Sequence, residues 1–299
     1  MKRHDLTPRL ALGVAIAAVS TASVFIRYAQ ADASSLAIAA YRLGLAALIL
    51  LPLAGLRHGR EIRGLEAGDW LWALASGVFL AVHFATWITS LEYTTVASSV
   101  VLVSTSPLWV ALAARLFLKE PLPPRLLAGL ALAMAGSIAI SVAEARSGIS
   151  SRPLLGNALA LAGALAVSGY WLIGRRLRRR ISLLPYVTMV YGSAALALLA
   201  AALLLRRPLA GFRTSTYGWL LLLALIPQLL GHSSFNWALK HLPAAYVAVA
   251  TLGEPVGAAF LAFLLLGETP QAMKVIAAGV ILAGICLALG QRPRAAADT

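Results

Sequence analysis

Glu254 is the twelfth residue of the run Pro243–Leu266, in which it is the one charge. A carboxylate near mid-bilayer costs roughly 2.5–3.5 kcal/mol on insertion scales, so it must face a cavity or a partner. It could ligate a substrate amine or carry a coupling proton; as a structural group it would bond a neighbouring helix. Pro255 beside it removes a backbone donor and frees the Thr251 carbonyl. Arg42 lies about seven residues into another apolar run, roughly 10 Å deep. Its planar fork matches a substrate carboxylate, although an arginine there can also snorkel outward or pair with a helix C-terminus.

Two further patches combine polar and aromatic groups. His83 and Trp87 are spaced i, i+4, as are His232 and Asn236, with Trp237 adjacent. Polar residues within a span turn to the protein interior or to water, so the two patches read as two sides of one central pathway. Ser20 and Ser168 could form part of a polar wall or bond helix to helix. Trp171 and Tyr246, with Tyr170 and Trp109 as lesser candidates, lie away from the interfacial belt where aromatics anchor to lipid. An aromatic-lined pocket with few polar groups suits an amphipathic zwitterion. No third or fourth ligand stands at a metal-binding spacing from the histidines. The single cysteine, Cys286, excludes a disulfide framework. No phosphate-binding loop pattern occurs, so ATP is not the direct energy source; no cofactor is expected.

These residues need a membrane to position them. The chain is 60% hydrophobic, 12% charged and has a mean hydropathy of +0.84, against about 25% charged in soluble domains. The net charge of +14 does not indicate nucleic acid, because the basic residues sit in short loops between apolar runs. Ten spans are predicted: Thr7–Tyr28, Ser35–Leu56, Gly68–Leu91, Thr94–Leu118, Pro123–Ala143, Pro153–Arg175, Leu183–Leu205, Thr216–Leu239, Pro243–Leu266 and Pro270–Leu289. The longest connections, Arg57–Ala67 and Arg206–Ser215, are short and basic. The charged start Met1-Lys2-Arg3 resembles a signal peptide, but the stretch after it has a counterpart near Leu155, so it reads as a retained helix.

The halves look like copies offset by 148 positions: Ser20 with Ser168, Arg27 with Arg175, Pro107 with Pro255, Glu120 with Glu268, Gly136 with Gly284. The expected architecture is all-α integral membrane, with residues 1–148 and 149–299 as two five-helix repeats. An odd helix number makes the second copy enter from the opposite side, as an inverted repeat. Placing 17 of the 25 Lys and Arg inside, Arg178–Arg180 among them, puts both termini in the cytoplasm. Gly129-x-x-x-Ala133 and Gly279-x-x-x-Ala283 predict close packing of helices five and ten. Glu120 and Glu268 are expected to cap the helices that follow them, with a gate as the alternative role.

The ends of the two copies carry a resemblance. The first reads Ser106-Pro107-Leu108-Trp109, Leu116-Phe117-Leu118-Lys119-Glu120, Ala128-Gly129 and Ala135-Gly136. The second reads Gly253-Glu254-Pro255-Val256, Leu264-Leu265-Leu266-Gly267-Glu268, Ala278-Gly279 and Ala283-Gly284. This resembles the drug/metabolite transporter superfamily, in its ten-helix EamA-like branch, and is most similar to bacterial aromatic amino-acid exporters. The resemblance implies an inner-membrane carrier that exports amino acids, with protons as a candidate coupling ion and no nucleic-acid partner. It also includes an arginine near Arg42, which suggests a structural role there. Lys119-Glu120 departs from the usual Gly-Glu pair, a change expected to affect a loop. A multidrug or nucleotide-sugar carrier of the same fold is the alternative, but phosphate would want several cavity cations and only Arg42 qualifies. A membrane-embedded enzyme would need an acid close to His83 or His232, and none lies within a turn in sequence.

Overall fold

The computed structural model describes residues 3–94, 99, 102–145, 152–266 and 272–289. Glu268, Gly267, Pro270, Arg146, Gly148, Lys2, Arg292 and Arg294 lie outside them, as does much of the start of the span expected at Thr94–Leu118. The described residues are helical: α1 (Arg3–Val19), α2 (Ala22–Gln30), α3 (Ser35–Arg63), α4 (Ala67–Tyr93), α5 (Ser106–Phe117), α6 (Pro124–Ala145), α7 (Pro153–Leu177), α8 (Leu183–Leu204), α9 (Thr214–Leu223), a π-helical segment (Ala224–His232), α10 (Ser233–His241), α11 (Ala244–Thr251), α12 (Glu254–Leu266) and α13 (Ala272–Leu289). Joined across local breaks at residues 20–21, 224–232 and 252–253, they make ten passes. Six stretches are long and apolar enough to cross a bilayer, and Ser106–Phe117, Pro124–Gly136 and Val275–Ala288 are shorter apolar helices. Leu56, Leu154 and Leu204 are more than four-fifths exposed, as expected when lipid covers the outer surface.

One connection differs from expectation. Residues 57–63 extend α3 beyond Leu56 and leave only residues 64–66 to join it to α4. His58 breaks the helical dihedrals (φ −129°, ψ 19°), so the basic end of the helix turns away from the apolar part.

The packing repeats with the 148-residue offset. α4 lies on α7, and their counterparts, the π segment with α10 and α1, lie on each other; α3 packs on α8 and α6 on α13. The α6–α13 contact is reciprocal. A Cβ on Gly136 would meet the Ala277 carbonyl at 2.8 Å and Ile281 at 2.7 Å, whereas one on Gly284 would meet the Gly129 carbonyl at 2.7 Å and the Ala133 nitrogen at 2.6 Å. Ala277 and Ile281 are the counterparts of Gly129 and Ala133. The two helices run antiparallel, because residues 129 and 136 face 284 and 281 in opposite order. The expected Gly129–Ala133 face is therefore in contact. The Gly279–Ala283 face is not: Gly279 has open space, Ala283 is exposed, and α13 presents Ala277, Ile281, Gly284 and Ala288 instead.

Three acids of the first half cap helices of the second. Asp32 Oδ2 accepts from the backbone N–H of Arg213 (2.7 Å) and from Thr216 (3.0 Å) at the start of α9. Glu61 accepts from the Ser182 N–H (2.6 Å) before α8. Glu120 accepts from the Ala244 N–H (3.1 Å) at α11 and pairs with Arg175 at 2.8 Å. Arg175 also donates to the Leu239 carbonyl (2.6 Å) at the end of α10. Glu120 thus caps a helix of the other half and not the one that follows it. Carboxylates at helix N-termini and a guanidinium at a C-terminus complement the helix dipoles. The Arg213 N–H holds the Asp32 carboxyl below its ordinary pKa; burial opposes this, and Thr216 and the Arg213 charge add to it.

Candidate functional site

Arg42 is 1% exposed, on the inner face of α3. Its Nε donates to Gln228 Oε1 at 2.8 Å, and its Cζ sits 4.2 Å above the centre of the Phe84 ring. A desolvated cation–π contact of this kind contributes about 2 kcal/mol or more. Gln228 is fully buried within the π segment. An α-helix turns about 100° per residue, so four-residue steps drift steadily around it. The wider i→i+5 turn of the π segment advances less per residue and offsets that drift. Gln228, His232 and Asn236 consequently share one face.

Aromatic rings surround this face. Phe84 contacts His83 at 4.8 Å, Trp87 at 6.4 Å and His232 at 5.3 Å between centroids. His232 stacks on Trp171 at 5.9 Å and 9°, and Phe235 meets both edge-on. His83 stacks on Trp87 at 5.8 Å, and its Nδ1 bonds the Gly163 carbonyl at 2.9 Å, which fixes the ring against α7. Tyr191 bonds Ser233 at 3.1 Å and lies beside Gln228 and Asn236. Asn236 donates to Tyr170 and to the His232 carbonyl.

Among the described residues, five buried side-chain atoms make no hydrogen bond: Arg42 Nη1, Trp87 Nε1, Gln228 Nε2, His232 Nδ1 and Asn236 Oδ1. Buried polar atoms are ordinarily satisfied, and each exception needs a reason. All five belong to this one cluster.

Glu254 opens α12 at the break after Gly253 and is half-buried. It and Arg42 act on each other electrostatically, but no ion pair joins them among the described residues. Ser20 shares its hydroxyl proton between the Ile16 carbonyl (2.7 Å) and the Glu254 carbonyl (3.2 Å). Ser168 does the same with Ala164 (2.7 Å) and Ser106 (3.2 Å). Both serines join helices of opposite halves.

The cluster therefore brings together Arg42, His83, Trp87, Trp171, His232 and Asn236, with Glu254 and Ser20 at its edge. Three expected residues stand apart, Ser168 being held by the Ala164 and Ser106 carbonyls. Trp237 packs on His241 at 4.4 Å, and Tyr246 lies in a second core with Ala111, Val249 and Ile281. Four residues were not singled out from sequence: Gln228, Phe84, Tyr191 and Phe235. Gln228 carried a usable signal, a lone amide after Pro227 in an apolar run.

The EamA-like transporter family matches residues 9–142 and again 154–290. An uncharacterized transporter of Archaeoglobus fulgidus is 25% identical over 269 residues, covering 88% of this chain and 91% of that one. The fold is similar to one seen in a protein crystal structure, with a TM-score of 0.79 and 18% identity over 94% of this chain and 96% of the other. Matched in both halves and over most of its length, the chain belongs to the EamA-like transporter family.

Proposed function

We propose that this transporter exports amino acids, aromatic ones included, across the cytoplasmic membrane, with both termini in the cytoplasm. One observation carries the reading: a buried cation lies among several aromatic rings inside an otherwise apolar bundle, with a half-buried carboxylate near enough to act on it electrostatically. Charged groups there are costly and mark substrate paths, and the mixture suits a small zwitterion with an apolar side chain. Protons are the candidate coupling ion, with Glu254 as their carrier.

The halves act as inverted repeats, residues 1–148 and 149–299. The reciprocal, antiparallel Gly136 and Gly284 contacts support a half-turn axis perpendicular to both helices, which lies in the membrane plane. Alternating access then exchanges contacts such as Glu120–Arg175 between the two faces. The test is efflux of labelled phenylalanine from proteoliposomes, with unlabelled amino acids as competitors and an imposed pH gradient. Saturable, competed efflux is expected. No flux with any amino acid would turn the reading to a drug or metabolite substrate.

A further inference from the structure

We infer that the Arg42–Gln228 pair reads a carboxylate, so that the site takes ligands with a free carboxylate and refuses their decarboxylated amines. The inference rests on the exporter reading for its choice of ligands, but its geometry stands separately.

Gln228 Oε1 holds Arg42 Nε at 2.8 Å. That neutral acceptor fixes the plane of the guanidinium and leaves its charge uncompensated. Phe84 covers one guanidinium face at 4.2 Å, so an anion must approach the edge. Arg42 Nη1 is on the guanidinium's edge and makes no hydrogen bond, and the Gln228 amide Nε2, with the Tyr191 hydroxyl beside it, makes none of ordinary length. Each is a donor free to meet an anionic oxygen, and a hydrogen bond from a guanidinium to a carboxylate is among the stronger kinds. A buried charge is stable only with a partner. Glu254 acts on Arg42 without forming an ion pair, and this leaves the direct partner to the ligand. His232 and Asn236 follow on the same face, the latter about 6 Å further along the α-helical axis. Their free Nδ1 and Oδ1 suit the ammonium group of the same ligand.

The test is a titration of the full-length protein, read by the fluorescence of Trp87 and Trp171, with phenylalanine, 3-phenylpropionate and phenethylamine. Saturable changes are expected with the first two and none with the amine. Gln228→Leu should weaken both carboxylate ligands roughly tenfold to a hundredfold. Gln228→Glu should pair with Arg42 and abolish binding of 3-phenylpropionate. Amine binding as tight as that of 3-phenylpropionate, no binding by any of the three, or unchanged affinities in variants that elute as folded protein would each overturn the inference. If neither variant folds, the wild-type ligand order decides. The two readings fail separately. Binding of 3-phenylpropionate without efflux of any amino acid would sink the exporter and keep the carboxylate site. Equal efflux of phenylalanine and phenethylamine would do the reverse.

Discussion

Phe84 and His232 occupy equivalent positions in the two halves, and their rings touch at 5.3 Å. Residues related by a two-fold axis meet only where that axis passes between them. On the inverted-repeat reading proposed above, the cluster sits on the axis between the halves, but its chemistry is not symmetric. Gln228, Asn236 and Tyr191 correspond to Leu80, Ile88 and Leu43, and Arg42 to Val190. The second copy supplies the two amides and the Tyr191 hydroxyl along with the Trp171, His232 and Phe235 rings, while the first supplies the cation with the His83, Phe84 and Trp87 rings.

Replacing His232 with phenylalanine makes the axial pair symmetric. His232→Phe should keep the bundle folded, since the ring already packs among Phe84, Trp171 and Phe235. Loss of one polar contact to the transported ligand predicts a rise in KM of roughly tenfold, measurable in proteoliposome efflux. An unchanged KM would remove His232 from the site.

The small-residue faces give opposite expectations for two glycines. Gly136→Val drives a side chain into the Ala277 carbonyl and Ile281. Overpacking of this kind costs about 1–3 kcal/mol, so the melting temperature in detergent should fall by several degrees. Gly279→Val meets open space and should melt like the parent.

Lys119 takes φ +54°, the left-handed region that penalises a side chain by roughly 1–2 kcal/mol. The second copy has glycine at the corresponding position, Gly267. Lys119→Gly should raise thermal stability by about 1 kcal/mol, read as an upward shift in the melt. A lower melting point would mean that the lysine side chain holds the loop in place.

The ten passes were legible in sequence because a succession of apolar runs and breakers survives divergence. The cluster was only partly legible. Arg42, Trp171 and His232 stand out as polar or bulky groups at depth, but Phe84 and Phe235 look like ordinary apolar filling. The alignment of Gln228 with His232 and Asn236 depends on a π segment, which leaves no periodic signature in so apolar a run. Trp237 looked equivalent to its neighbour Asn236, yet one residue turns a side chain about 100° around a helix and sends it to His241. Glu120 misled for a different reason: its capping partner, Ala244, is 124 residues away.

Acid should loosen the cap at α9. Asp32 has a folded pKa below its ordinary value, chiefly through the Arg213 N–H. Its contribution is therefore present above the unfolded value, near 3.9, and is lost as pH falls through the lower folded value. Asp32→Asn should make the melting temperature less dependent on pH below about 4. Identical acid profiles for the variant and its parent would contradict this cap.

The most direct test of the account compares wild type and Glu254→Gln in proteoliposomes loaded with labelled phenylalanine, at equal insertion and with a pH gradient imposed. Wild type should give saturable, pH-dependent efflux. The Glu254→Gln protein should be folded and inserted but should give no efflux, or efflux that ignores the gradient. Equal flux with equal pH dependence in the two proteins would contradict a central role for the half-buried carboxylate.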